Sequence, residues 1–175
     1  MKVKMRFHNI YLIGYRACGK TTLARRVAES SGLKFLDTDQ VIQENSHMSI
    51  DEMVSSRGWD YFRDIEEKTL ADTALIKGMV VATGGGVILR ESNREILKED
   101  KMLTVYLQAD ADLVLSRLSS DPNPKLRPAL SKSPLTLEVM NTLTERESLY
   151  LECADLILDA ARPVENHVQR ILNLI

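Results

Sequence analysis

Short, mostly apolar runs alternate along this chain with longer segments in which apolar residues recur every three or four positions. A short apolar run between polar or turn residues predicts a buried strand, and the longer spacing predicts an amphipathic helix. The predicted strands are residues 9–13, 34–36, 79–82, 103–107 and 155–158. The predicted helices are residues 22–30, 61–76, 90–98, 110–118, 135–152 and 164–174. Because strands and helices alternate, we expect an α/β fold with a five-stranded parallel sheet covered by helices on both faces.

The region after the second strand has a broken helical pattern. Helical spacing resumes at about residue 40, stops near His47, and restarts at Ser49 and Glu52, which form a capping-box sequence. Residues 58–60 interrupt it again before the long helix, which Gly78 ends. This region therefore predicts several short helical pieces rather than one.

The first predicted strand is followed by the sequence G-x-x-x-x-G-K-T, and a helix is predicted directly after it. The motif comprises Gly14, Tyr15, Arg16, Ala17, Cys18, Gly19, Lys20 and Thr21, and Thr22 opens the helix. Strand, loop and helix in this order favour a phosphate-binding loop, because free N–H groups and the helix dipole attract anions. We expect Lys20 on an exposed loop, reaching the β- and γ-phosphates of the ligand, and the Thr21 hydroxyl on Mg²⁺. The alternative is a glycine-rich turn that carries a lysine by chance.

Two aspartates follow the second strand, at the edge of the sheet where ligands of parallel sheets bind. Residues two apart in extended backbone point the same way, so Asp37 and Asp39 share a face. Placed beside Thr21, one carboxylate would hold Mg²⁺ and the other would accept a hydrogen bond from an alcohol. The alternative is that one of them is the N-cap of the next helix.

Two further groups could bind a small substrate. Arg63 and Glu66 are three residues apart on a predicted helix, so Arg63 could grip a carboxylate while Glu66 orients it; the alternative is a surface ion pair. Gly84, Gly85 and Gly86 follow the third strand, which indicates either an unusual turn or a close approach to a substrate.

A polar, proline-rich stretch at about residues 119–134 predicts a mobile lid. It contains Arg127, and Arg146 lies on the helix that follows. An arginine on a closing lid would stabilise the charge of a transferring phosphoryl group. A solvated loop arginine is the alternative, and the residues alone leave both open.

Composition sets the broader limits. The 175 residues fit a single domain spanning 1–175, and 44% apolar with 27% charged residues is ordinary for a globular protein. The net charge of −2 argues against partners such as nucleic acid or a membrane surface, and there is no apolar run of transmembrane length. Two cysteines form no framework, three scattered histidines are expected at the surface, and a signal peptide is not indicated. We expect a cytoplasmic enzyme.

Taken together, these motifs resemble the shikimate kinase family along nearly the whole chain. The resemblance rests on G-x-x-x-x-G-K-T, D-T-D at 37–39, F-R-x-x-E at 62–66, T-G-G-G at 83–86, R-P at 127–128 and E-R-x-x-L-Y at 145–150. It implies a monomeric P-loop NTPase fold with a nucleotide lid around 119–134 and a substrate-binding part around 38–66. It also implies ATP-dependent phosphorylation of the 3-hydroxyl of shikimate, with ATP and Mg²⁺ as cofactors.

The resemblance assigns roles by motif position. Asp39, Arg63, Gly84, Gly85, Gly86 and Arg146 would contact shikimate, with Glu66 beside them. Lys20 and Arg127 would contact the transferring phosphate, Thr21 and Asp37 would lie at Mg²⁺, and Arg117 would pack on adenine. The chain departs from the family pattern at Ala17, where glycine is usual; a positive φ there would cost alanine about 1 kcal/mol. The spacing from Arg117 to Arg127 is also longer, with residues 122–124 as the insertion.

Two other functions remain open at this point. The same scaffold could phosphorylate another polyol acid, as a gluconate-type kinase does. A nucleotide-binding regulator without turnover is the non-enzyme alternative, although such a protein would be expected to lose Lys20, Asp39 or the lid arginine, and all three are present.

Overall fold

The computed structural model describes residues 6–120, 130 and 134–175. Its strands are β1 (Asn9–Ile13), β2 (Lys34–Asp37), β3 (Met79–Ala82), β4 (Met102–Gln108) and β5 (Leu156–Asp159). Its helices are α1 (Lys20–Ser31), α2 (Thr38–Ser46), α3 (Ile50–Ala74), α4 (Glu91–Leu97), α5 (Ala111–Ser119), α6 (Leu135–Cys153) and α7 (Val164–Leu172), with a 3-10 turn at Val87–Leu89. Each predicted strand is present within one residue of its predicted bounds.

The five strands form one parallel sheet in the order β2-β3-β1-β4-β5. β1 lies in the middle, with Ile10 paired to Val80 on one side and to Leu103 on the other. The order reverses direction at β1, which opens a crevice at the carboxyl ends of the central strands. The loop that leaves β1 lies in that crevice.

The sheet is covered on both faces, as the strand pattern predicted. Ile10 and Leu12 pack in a core under α1 and α7, whereas Tyr11 and Ile13 pack in a second core under α3 and α6. All five residues of β1 are buried, which explains the apolar run at residues 10–13; the amide of Asn9 is buried with hydrogen bonds to the Thr73 and Ile76 carbonyls. In the described part of the chain, no helix is long and apolar enough to cross a membrane.

The helical region after β2 differs in detail from its prediction. The capping box at Ser49 and Glu52 is formed, and His47 ends α2 with a φ of 52°. The expected three-residue interruption is a single kink at Gly58 (φ 84°, ψ 169°), so the two helical stretches of α3 join directly. A small third core of Ile42, Met53 and Phe62 holds this pair of helices together.

Two expectations about polar residues are corrected. His167, expected at the surface, is 4% exposed on α7, with its Nε2 2.9 Å from the Asp159 carbonyl. The helix after the phosphate loop begins at Lys20 rather than Thr22, so Lys20 belongs to a helix turn and not to a free loop.

Candidate active site

The loop after β1 requires glycine at its two ends, Gly14 and Gly19. Gly14 has a φ of 142°, and a Cβ on it would lie 2.6 Å from the Leu107 carbonyl oxygen. Gly19 caps α1 with a φ of 107° and provides no side chain to bond the first N–H groups. The N-terminus of α1 therefore keeps donors available for an anion, as the motif predicted.

Lys20 is 8% exposed, so the expected exposed position is wrong. Its Nζ donates to the carbonyl oxygens of Gly14 and Tyr15, both at 2.8 Å, and lies 3.6 Å from the Cys18 sulfur. The long stem folds back over the loop because the loop carbonyls give the ammonium group the partners that burial requires.

Ala17 has the left-handed backbone that made its identity significant in the sequence. Its φ is 61°, so alanine does carry the conformational cost of about 1 kcal/mol that glycine would avoid. The Arg117 guanidinium donates to the carbonyls of Ala17 (3.2 Å), Cys18 (2.6 Å) and Ala160 (3.0 Å). Arg117 therefore braces the strained turn as well as lining the neighbouring cavity.

Thr21 and Asp37 meet beside this loop. The Thr21 hydroxyl donates to Asp37 Oδ2 at 2.9 Å. Asp37 Oδ1 accepts from the N–H groups of Asp39 (3.0 Å) and Gln40 (3.3 Å), so Asp37 is also the N-cap of α2. Capping and a metal role are thus compatible, and the cap alternative applies to Asp37 rather than Asp39. A hydroxyl and a carboxylate are hard oxygen donors that fit Mg²⁺ next to a phosphate group.

A cavity of about 480 Å³ extends from the phosphate loop along the start of α7. Its volume is in the range of sites that bind small molecules such as nucleotides. Its lining comprises Ala17, Cys18, Gly19, Lys20, Thr21, Thr22, Leu23, Leu107, Arg117, Ala160, Arg162, Val164 and His167.

A second cavity, of about 130 Å³, lies on the other side of the phosphate loop. It brings together predicted site residues from four separate segments: Asp39, Arg63, Glu66, Gly84, Gly85, Gly86 and Arg146. Its remaining lining is Tyr15, Arg16, Ile50, Trp59, Phe62 and Leu130. We call it the substrate cavity. Sequence reasoning missed Trp59, although its place in the interruption just before the F-R-x-x-E motif was a usable signal.

Arg63 and Glu66 form a buried ion pair, so the surface-pair alternative is wrong. Arg63 Nη1 and Glu66 Oε2 are 2.5 Å apart, with the side chains 11% and 1% exposed. The Arg63 guanidinium also lies 5.1 Å from the ring centres of Trp59 and Phe62. The carboxylate binds one edge of the guanidinium and the aromatic rings lie against its faces. These contacts fix the direction in which the guanidinium points.

Other protein groups approach all three glycines closely: side chains at Gly84 and Gly86, and the backbone of the phosphate loop at Gly85. None of them has a positive φ, so an unusual turn does not explain them. A Cβ on Gly84 would lie 2.6 Å from Glu66 Oε1 and 2.8 Å from Asp39 Oδ1, and one on Gly86 would overlap the Arg63 guanidinium. The glycines make room for the charged groups of the cavity.

Asp39 and Glu66 are electrostatically unusual. Asp39 Oδ1 and Glu66 Oε1 are both buried and lack a hydrogen-bond partner among the described residues. Burial, with the neighbouring carboxylates of Glu66 and Asp37, raises the pKa of Asp39 to about 7 against the opposing effect of Lys20. Burial also raises the pKa of Glu66, although Arg63 opposes this. A carboxylate tuned near neutrality beside a phosphate loop is suited to accept a proton.

Helix α6 completes the cavity from the far side. Arg146 Nη1 donates to the Gly85 carbonyl at 3.1 Å, and the Tyr150 hydroxyl donates to the same oxygen at 2.5 Å. The glycine segment is therefore fixed by α6. Arg127 and most of the expected lid lie outside the described residues.

The fold and the two adjoining cavities define a P-loop kinase that acts on a small anionic molecule. The family model "Shikimate kinase" matches residues 16–175, and the chain belongs to the shikimate kinase family. It is 38% identical over 166 residues to shikimate kinase 2 of Yersinia enterocolitica, covering 95% of this chain and 94% of that protein.

Solved structures agree with that assignment. A shikimate kinase from Acinetobacter baumannii in complex with shikimate has a TM-score of 0.88 and 34% identity, covering 96% of this chain and 92% of that one. The shikimate kinase from Bacteroides thetaiotaomicron has a TM-score of 0.85 and 30% identity, covering 95% and 97%. The prediction that the chain is a shikimate kinase is confirmed. The two alternative functions, a gluconate-type kinase and a nucleotide-binding regulator without turnover, are not supported.

Proposed function

We propose that this chain transfers the γ-phosphoryl group of ATP to the 3-hydroxyl of shikimate, giving 3-phosphoshikimate and ADP on the route to chorismate and the aromatic amino acids. The observation that carries the proposal is the substrate cavity. It places a carboxylate with a raised pKa and two fixed arginines directly beside the phosphate loop. Such a cavity suits a compact ring that bears both a carboxylate and hydroxyl groups.

The proposed role of each site residue follows from its position. The open N-terminus of α1 and Lys20 bind the phosphates, and Thr21 with Asp37 would hold Mg²⁺. Bound Mg²⁺ would neutralise charge on the β- and γ-phosphates. Asp39 orients the reacting hydroxyl and accepts its proton. Arg127 is proposed as the lid residue that contacts the transferring group, and Arg117 as the partner of adenine.

Shikimate would bind by its carboxylate to Arg63 and Arg146. Glu66 holds one side of Arg63, which leaves the rest of the guanidinium for the substrate. Arg146 is anchored on the Gly85 carbonyl and lines the same cavity. The glycine backbone at 84–86 forms the floor on which the ring would lie.

A coupled ADP-release assay tests the function directly. Shikimate should support ATP-dependent turnover, and gluconate at the same concentration should not. Turnover with gluconate but not shikimate would overturn the proposal. The same preparation tests the proposed monomer by gel filtration. The cytoplasmic location and the lack of nucleic-acid or membrane partners also remain proposals.

Replacing Arg63 or Arg146 with lysine is expected to raise the KM for shikimate far more than the KM for ATP. The loss of one planar charge-assisted contact should cost about 1.5–3 kcal/mol, or about ten- to a hundred-fold in KM. Steady-state kinetics with each substrate varied in turn measures the two constants. Arg26→Lys, in an exposed pair with Glu29, is the matched control. A selective rise in the ATP KM would assign these arginines to the nucleotide.

The raised pKa of Asp39 predicts that kcat/KM for shikimate falls as the pH drops through about 7. Below its pKa the carboxyl is protonated and no longer accepts the hydroxyl proton. An aspartate with the ordinary value of 3.8 would stay ionised well below that range. Initial rates at saturating ATP from about pH 5 to about pH 9 measure the profile. A rate that stays constant down to about pH 5 would contradict this role for Asp39.

A further inference from the structure

Two residues that line the substrate cavity contact one buried carboxylate that lies outside it. Arg16, from the phosphate loop, and Leu130, which precedes α6, both line the cavity. Glu138, in the first turn of α6, is 3% exposed and does not line it. The roles proposed above leave Glu138 unused.

The two carboxylate oxygens of Glu138 bind different segments. Oε1 forms an ion pair with Arg16 Nη2, whose side chain is 16% exposed. Oε2 accepts the backbone N–H of Leu130 at 2.9 Å. A carboxylate removed from water needs such charged and N–H donors, so it holds them in fixed positions.

The contacts of Glu138 adjoin a part of the cavity lining that is already tightly packed. A Cβ on Gly85 would lie 3.2 Å from the backbone nitrogen of Arg16, so the phosphate loop and the glycine segment touch at that point. Helix α6 holds the Gly85 carbonyl through Arg146 and Tyr150. Through Glu138, the same helix also binds Arg16 and Leu130.

We propose that Glu138 is a positioning residue for substrate binding: its carboxylate fixes Arg16 and Leu130 as one wall of the shikimate cavity. This inference rests on the proposed function. Without Glu138, Arg16 loses the carboxylate that orients its guanidinium at the wall of a cavity of only about 130 Å³. Shikimate affinity therefore depends on Glu138, whereas the nucleotide cavity, which neither Arg16 nor Leu130 lines, does not.

The first test is Glu138→Gln, which keeps the shape and one acceptor oxygen but removes the charge. We expect the KM for shikimate to rise by about ten-fold and the KM for ATP to change by less than about two-fold. Trp59, the single tryptophan of the chain, lines the cavity, so its fluorescence reports the shikimate Kd without nucleotide. That Kd should rise with the KM. Glu165→Gln, in the first turn of α7 and in an exposed pair with Arg26, should change neither.

A double variant guards against loss of folding. Arg16→Met with Glu138→Met replaces the ion pair by apolar side chains, a change that buried pairs often tolerate. It should fold, as a cooperative melt would show, and should still have the raised shikimate KM. A wild-type shikimate KM in either folded variant, or an equal rise in both KM values, would overturn the inference. Wild-type protein that does not phosphorylate shikimate in the same assay would instead overturn the proposed function.

Discussion

Asp39→Asn is expected to lower kcat by about two to four orders of magnitude while ATP binding persists, the range that loss of a general base produces. Asparagine keeps the shape and one acceptor oxygen but cannot take the hydroxyl proton. The N-cap of α2 is unaffected, because the side chain of Asp37 and not that of Asp39 forms it. Single-turnover rates by rapid quench measure the chemical step, and equilibrium titration with ATP measures binding. The shikimate Kd should rise as well, since a charged acceptor is lost.

The same variant should not lose stability at neutral pH. The folded-state pKa of Asp39 lies above its ordinary value of 3.8, so the folded protein binds this proton more tightly than the unfolded chain. The contribution to the free energy of unfolding is therefore present at low pH and is lost as the pH rises through about 7. Asp64→Asn, exposed on α3 and paired with Arg90, is the control. A normal single-turnover rate in Asp39→Asn would remove Asp39 from the chemistry.

The sheet could be predicted because strands buried on both faces are apolar at most positions. Residues 79–82 show this directly: all four are buried, and the predicted bounds are the observed ones. The polar residues at the ends of strands were harder to predict. Asp37 and Gln108 close β2 and β4 but were left outside the predicted strands, because nothing in an apolar-run criterion includes a polar last residue.

The depth of the site could not be predicted from spacing. Arg63 and Glu66 three apart on a helix look the same on a surface and in a cavity. What buries them is the approach of Gly84 and Gly86 from a distant strand, which is a tertiary event. The glycine triplet was the sequence signal for close approach, and the structure shows side chains close to Gly84 and Gly86 and phosphate-loop backbone close to Gly85.

Residues whose side chains connect distant segments of the chain were the hardest to identify from the sequence. Glu138 occupies an ordinary position in the first turn of an amphipathic helix, and its two partners are 122 and 8 residues away in sequence. Arg117 likewise donates from α5 to the carbonyls of Ala17 and Cys18, about a hundred residues earlier in the chain. Each of these contacts depends on how the loops after different strands meet, which no local pattern encodes.

Lys20→Met is the second change with a large expected effect, and it separates catalysis from loop structure. The ammonium group donates to two loop carbonyls in this structure. During the reaction it would instead contact the β- and γ-phosphates and stabilise their negative charge. Loss of a single preorganised charge of this kind lowers kcat by about a hundred- to a thousand-fold. Because Lys20 is buried, we also expect a lower melting temperature, since the carbonyls of Gly14 and Tyr15 lose a charged donor.

Kinetics and thermal melts of Lys20→Met, compared with those of Lys68→Met, measure both effects. Lys68 is exposed on α3, so its replacement tests the removal of a lysine charge without a loop contact. Saturating ATP should restore part of the lost stability by binding the folded state, but it should not restore kcat, because the missing charge acts on the transferring group. Near-normal turnover in the folded Lys20→Met variant would contradict the assignment of this loop to the phosphates of ATP.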